Sequence, residues 1–163
     1  MGVILKSRRI YEYLAIMRSE MLEKGVSSLR LRDIYNRAGV KPSSAHEYVT
    51  KLIDEGLVSR IDRGRYTIAE KGLESLENVM WSHGVIEIFF HKVLGLDPDD
   101  ACKIASKIDY LLPYEAVEKL CIMLGHPSKC PHNQEIPHRG CGEGLKGVFL
   151  GCFLKDSNLK RSF

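Results

Sequence analysis

Cys130, Cys141 and Cys152 recur at intervals of eleven residues, with His132 and His138 between them. Thiolates beside imidazoles could hold zinc or an iron–sulfur cluster in a stretch that otherwise lacks a core. Cys130, His132, Cys141 and Cys152 therefore form one candidate site. None of the spacings is a tight Cys-x-x-Cys ligand pair, so incidental or buried cysteines of a tail remain the competing reading. A second chemistry is base reading. Ser43, Ser44, His46, Glu47 and Lys51 are short or polar groups on one side of a predicted helix, able to donate and accept at major-groove base edges. Nucleophilic catalysis through Cys130 and His132 would need further machinery. No oxyanion hole, glycine-rich phosphate loop or catalytic carboxylate pair is visible, so an enzyme is not expected.

The element that presents the base-reading face runs over Lys41–Val58. Pro42 and Ser43 mark its start, with Ser43 as a candidate cap. Ala45, Tyr48, Val49, Leu52 and Ile53 make an apolar stripe at spacings of three and four, and Gly56 ends it. Arg30–Ala38 reads as a shorter amphipathic helix, joined to it by the Gly39-Val40 turn of a helix-turn-helix. Leu57–Ile61 and Tyr66–Ile68 read as two strands around the turn Asp62-Arg63-Gly64-Arg65, a wing with basic residues at its tip. Lys41, Lys51, Arg63 and Arg65 are the expected phosphate or minor-groove contacts.

Around this head, Ser7–Lys24 reads as a first helix with Ile10, Tyr13, Leu14, Met17, Met21 and Leu22 on its stripe. Ala69 to about Leu94 reads as a long helix, apolar on more than one face in its second half, as if buried against its own chain and a partner. Gly95-Leu96-Asp97-Pro98 breaks it, with Asp97 and Pro98 opening a helix Asp99–Tyr110. Pro113–Leu124 follows. Residues 125–138 hold three prolines and read as irregular, and Gly147–Leu154 reads as a possible strand.

Charge is unevenly spread along the 163 residues. Residues 1–66 carry 13 Lys and Arg against 8 Asp and Glu, residues 67–126 carry 5 against 10, and the rest carry 6 against 3. A basic front on an acidic middle fits a nucleic-acid-binding head on a domain of another purpose. No apolar run reaches the ~18 residues of a membrane span. With no secretory signal and an odd five cysteines, a cytoplasmic protein with reduced thiols is expected.

The order winged helix, long helix, Leu94-Gly-Leu-Asp hinge, two short helices and Leu124-Gly-His-Pro-Ser-Lys-Cys-Pro-His-Asn-Gln-Glu-Ile-Pro137 resembles the diphtheria-toxin-repressor family of iron- and manganese-dependent regulators over about residues 7–138. The resemblance implies a mainly α fold, with a winged helix-turn-helix domain at 1–72, a helical dimerisation and metal-binding domain at 73–138, and a short cysteine-containing tail at 139–163. It implies a homodimer on a palindromic double-stranded operator, acting as a repressor, with no membrane partner. The SH3-like domain of longer members is not expected in the remaining residues. The family's ligand positions fall on Glu12, His83, Glu87, Cys102 and Asp109. Others fall on Ala15, Ser106 and Tyr110, which supply no good donor. The mixed N, O and S set would suit Fe(II), Zn(II) or Co(II) rather than Mn(II). The alternative is a winged-helix regulator that has lost this site or senses through the tail cysteines.

Overall fold

A computed structural model describes residues 7–137 and 150–155. It divides into two units, one over Arg9–Leu76 and one that joins Arg8 to Glu77–Asp156. The chain is mainly helical, with a winged helix-turn-helix followed by a helical unit, as expected.

In the first unit, α1 (Arg8–Lys24) buries Ile10, Tyr13, Leu14, Met17 and Met21 as its periodicity dictates, but Leu22 is exposed. β1 (Leu29–Arg30), too short to show a pattern, pairs antiparallel with β3 (Arg65–Ile68), which also pairs with β2 (Val58–Asp62). The sheet order is β1-β3-β2. α2 (Leu31–Ala38) begins in a capping box: the Arg30 backbone N–H donates to Asp33 Oδ2 at 2.9 Å. Gly39, at φ 66°, closes it into the turn that launches α3 (Pro42–Asp54). Pro42 occupies the first turn, but Ser43 lies inside the helix, Lys41 holds the cap position, and no side chain caps it. Ala45, Val49 and Leu52 are buried, while Tyr48 stacks on Tyr13 at 4.8 Å.

The long α4 (Glu70–Ile88) ends in a π-helical turn, Phe89–Val93. Within one chain Val79 through Ile88 are already buried, while Val93 and Leu94 beyond them are exposed. α5 (Pro98–Ile108) is capped by Asp97, whose carboxylate accepts from the Asp99 N–H at 2.9 Å. α6 (Tyr114–Met123) buries only Val117 and Cys121 and leaves Tyr114, Ile122 and Met123 exposed. Residues 124–137 form a loop tied by an isolated bridge between Lys129 and Glu135. The expected strand over Gly147–Leu154 is not formed in its described part, where α7 (Leu150–Lys155) is helical. No described helix is long and apolar enough to cross a membrane.

Gly84 explains how the loop reaches α4. A Cβ there would lie 2.7 Å from Ile136 Cγ1, and Ile136 is itself buried. Only a bare backbone lets the loop press this closely. Gly84→Ala is therefore expected to push the loop away. The overpacking should cost about 1–3 kcal/mol, partly offset by about 1 kcal/mol of helix propensity. Denaturant unfolding together with metal affinity checks this. Loss of metal affinity at nearly unchanged stability would show displacement of the loop alone.

Candidate metal centre

Four elements of the second unit converge on Glu87. α4 supplies His83 and Glu87 one turn apart, α5 supplies Cys102, the loop supplies Cys130 and His132, and α7 supplies Cys152. His83, Glu87, Cys102 and Cys152 are all buried, and their ligand atoms lie within 4.8 Å of one another. Cys102 Sγ is 3.4 Å from His83 Nε2 and 3.5 Å from Cys152 Sγ. Cys152 Sγ is 3.6 Å from Glu87 Oε2, which is 3.7 Å from His83 Nε2. Bond lengths near 2.3 Å for sulfur and 2.0–2.2 Å for nitrogen and oxygen give tetrahedral edges of about 3.3–3.8 Å. The four separations fit a four-coordinate thiophilic cation. Glu87, Cys130, His132 and Cys152 form a second group within the same 4.8 Å, in which the 2.6 Å hydrogen bond between His132 Nδ1 and Glu87 Oε1 would have to open to admit an ion.

The surroundings orient these donors. Asp109 Oδ2 lies 3.0 Å from His83 Nδ1, leaving Nε2 toward the cluster. Arg8 Nε donates to the same carboxylate at 3.2 Å, and Arg8 also donates to the Phe153 carbonyl at 3.0 Å. Gln134 Oε1 accepts from the Cys152 N–H at 2.9 Å, fixing the start of α7. His132 contacts Glu87 Oε1 through Nδ1 at 2.6 Å and Asp99 Oδ1 through Nε2 at 2.8 Å.

Proton affinities show how crowded with anions the cluster is. Burial pulls His83 down, but the Asp109 carboxylate and Cys102 outweigh it and raise the ring to about 9. Burial, then Cys130 and Cys102, push Glu87 up to about 7. Cys130 is drawn down to about 6, first by its hydrogen bond with Cys152, while hydrogen bonds with Cys102 and Cys130 raise Cys152. Asp99 falls to about 2 beside Lys155 and His132. These donors share protons they would give up to a cation, so metal uptake releases protons.

The structure thus brings His83, Glu87 and Cys102 together. Asp109 faces the far nitrogen of His83 instead of joining either group, and Glu12, buried on α1, belongs to neither among the described residues. Ser106 is buried, with no hydrogen-bond partner for its hydroxyl among the described residues, and Tyr110 is half-buried. Of the tail set, Cys130, His132 and Cys152 meet; Cys141 and His138 lie outside the described residues. Sequence reasoning did not join Cys152 to His83, or Glu87 to His132. The Cys-Pro-His segment beside a His-x-x-x-Glu helix was the available signal.

In the winged helix, Lys41, Ser43, His46, Glu47 and Lys51 are exposed and Ser44 is half-buried. Lys51 Nζ pairs with Glu47 at 2.7 Å, an exposed contact that can open at little cost. Arg63 and Arg65 are exposed at the wing, and Arg65 Nη1 donates to Ser28 Oγ at 3.0 Å.

The chain thus contains a winged helix and a helical unit whose buried His, Glu and Cys donors could hold a metal ion. Similarity to known proteins agrees. Residues 69–138 match the family described as "Iron dependent repressor, metal binding and dimerisation domain", and residues 15–62 match the IclR helix-turn-helix domain. A hypothetical protein from Sulfolobus solfataricus, SSo2273, is similar at 33% identity and a TM-score of 0.72, covering 81% of this chain and 99% of that one. ScaR, crystallised with bound Cd2+, is similar at 25% identity and a TM-score of 0.67, over 83% of this chain and 62% of its own. An HTH-type transcriptional regulator from Methanocaldococcus jannaschii is 29% identical over 59% of this chain and 77% of its own. The chain belongs to the diphtheria-toxin-repressor family of metal-dependent transcriptional regulators.

Proposed function

We propose that the chain is a homodimeric repressor whose affinity for a palindromic operator is raised by Fe(II), with Zn(II) or Co(II) able to substitute. The cluster of His83, Glu87, Cys102 and Cys152 carries this reading, because its thiolates favour these ions over Mn(II). Ala15, Ser106 and Tyr110 supply no good donor, so metal response rests on this cluster and not on the family's other positions. A bound cation supplies positive charge to buried anionic donors. The chain's own residues do the rest. Asp109 fixes the His83 tautomer, and Arg8, paired with Asp109, is the first residue of α1, which continues into the winged helix. Ordering this pair on metal binding fixes how α1 begins, and a coupling of about 1–3 kcal/mol would change operator affinity ~5–150-fold.

Ser43, Ser44, His46 and Glu47 on α3 meet base edges, while Lys41, Lys51, Arg63 and Arg65 meet phosphates or the minor groove. The dimer face is assigned to α6 and its approach, where Leu111, Tyr114, Ile122 and Met123 are 43–61% exposed. A two-fold dimer matches a two-fold operator, and such a regulator works in the cytoplasm.

Selection of genomic DNA fragments by the anaerobic protein tests this reading. Paired half-sites of inverted symmetry are expected with Fe(II) and not with chelator. Light scattering should give about 37 kDa, twice the 18.5 kDa chain. A monomer, or no metal-dependent enrichment, contradicts it.

A further inference from the structure

Glu87 presents its two oxygens to two different sets of donors. Oε2 lies 3.7 Å from His83 Nε2 and 3.6 Å from Cys152 Sγ, with Cys102 Sγ 3.5 Å from the same sulfur. Oε1 is hydrogen-bonded to His132 Nδ1 at 2.6 Å, a contact that a cation between them would replace and widen, and that nitrogen is 3.6 Å from Cys152 Sγ as well. Cys130 completes this second set, whose ligand atoms all lie within 4.8 Å of one another. Six residues thus form two four-donor groups that share one carboxylate and one thiolate.

We propose that this is a binuclear thiolate centre for two divalent thiophilic cations, with Cys152 Sγ and the Glu87 carboxylate bridging them. One ion takes His83 Nε2, Cys102 Sγ, Cys152 Sγ and Glu87 Oε2; the other takes Cys130 Sγ, His132 Nδ1, Cys152 Sγ and Glu87 Oε1. The inference rests on the reading of His83, Glu87 and Cys102 as a metal site and extends it to the loop and α7.

Three further observations support two ions over one. The first is charge. Three thiolates and one carboxylate carry four negative charges, which two divalent cations balance. A single ion would leave two negative charges buried, or would require two of the donors to keep their protons. With two ions bound, the three thiol protons pass to solvent. The second is the outer shell. Each imidazole has a carboxylate on its far nitrogen: Asp109 on His83 at 3.0 Å, and Asp99 on His132 at 2.8 Å. Metal-bound histidines are commonly held in this way, with the tautomer fixed so that the inner nitrogen carries the lone pair. The third is the anchoring of the shared sulfur, through the Gln134 amide on the Cys152 N–H at 2.9 Å and the fully buried Phe153 that follows. A tail with an incidental cysteine would need neither.

The test is Co(II) titration of the full-length chain under anaerobic conditions, read by metal content, thiolate charge-transfer absorption and electron paramagnetic resonance. Two equivalents are expected to bind. The paramagnetic signal should grow through the first equivalent and fall through the second, because a shared thiolate couples the two spins. Cys130→Ser should bind one equivalent, keep its uncoupled signal and lose about half of the charge-transfer intensity, two of the four sulfur–metal bonds. His132→Asn, which changes no thiol, should also bind one equivalent and guards against a Cys130 variant that fails to fold. A single equivalent in wild type, unchanged by either variant, overturns the second ion and leaves the first site standing. Two equivalents without spin coupling overturn the bridge. No bound metal overturns both this proposal and the reading beneath it. Acid-labile sulfide accompanying bound iron would replace the pair of ions with a cluster and also overturn the proposal.

Discussion

His83→Ala is expected to make operator affinity indifferent to Fe(II), Zn(II) and Co(II). His83 is 0% exposed, with Nε2 beside Cys102 and Glu87 and Nδ1 on Asp109. Truncation removes one of four donors and leaves Asp109 with Arg8 and without an imidazole to orient. Loss of an outer-shell partner alone typically costs 10–100-fold in metal affinity, so loss of the ligand itself should cost more than that. Asp109→Asn separates the two roles. It preserves shape and weakens the hold on His83, and should reduce metal affinity by about 10–100-fold while retaining a metal response at higher metal concentration. Thermal melts of the metal-free proteins check that each variant folds. If the His83 variant responds to metal like wild type, the cluster is not the sensor.

The second large effect is expected from Arg63→Ala combined with Arg65→Ala. Both side chains are exposed at the wing, where the β2–β3 register shifts between Arg60 and Asp62, and Gly64 at φ 70° makes the turn. If both arginines meet phosphates, the double variant should bind every DNA sequence more weakly. Its log-affinity against log-salt slope should flatten by about 0.9 for each phosphate that the variant no longer neutralises. Sequence preference should persist, because Ser43, Ser44 and Glu47 remain on α3. A slope and affinity unchanged across a salt series would remove the wing from the interface.

The helix-turn-helix was legible because its signals are local. The α3 stripe, Gly39 and Gly56 at positive φ, and Pro42 in a first turn each act within a few residues. β1 was not legible: a two-residue strand has no period, and its place is set by pairing with Tyr66 and Arg65 far along the chain. Gly147–Leu154 is a short apolar run, which periodicity alone cannot assign to strand or helix. In α7, Cys152 and Phe153 are both buried, Leu154 is half-buried and Lys155 is exposed.

The same division holds at the metal centre. The family resemblance pointed to His83, Glu87, Cys102 and Asp109, and a helix brings residues four apart such as His83 and Glu87 together. It did not say which atom of each would face the cluster. Asp109 reaches the far side of the imidazole, a direction set by packing between α4 and α5. The link from Cys152 to His83 spans about seventy residues of chain and depends on Gly84 admitting Ile136, and hence the loop, against α4. No local pattern encodes such a contact.

Metal at the His83–Glu87–Cys102–Cys152 cluster is proposed to set affinity for DNA. Fluorescence anisotropy of the wild-type chain on its selected operator tests it directly, under anaerobic conditions and at fixed salt, with Fe(II) or Zn(II) present and then removed by chelation. Binding about 5–150-fold tighter with metal is expected, reversed when the metal is removed. Equal affinity in both conditions, from a chain that has bound the metal, would contradict it.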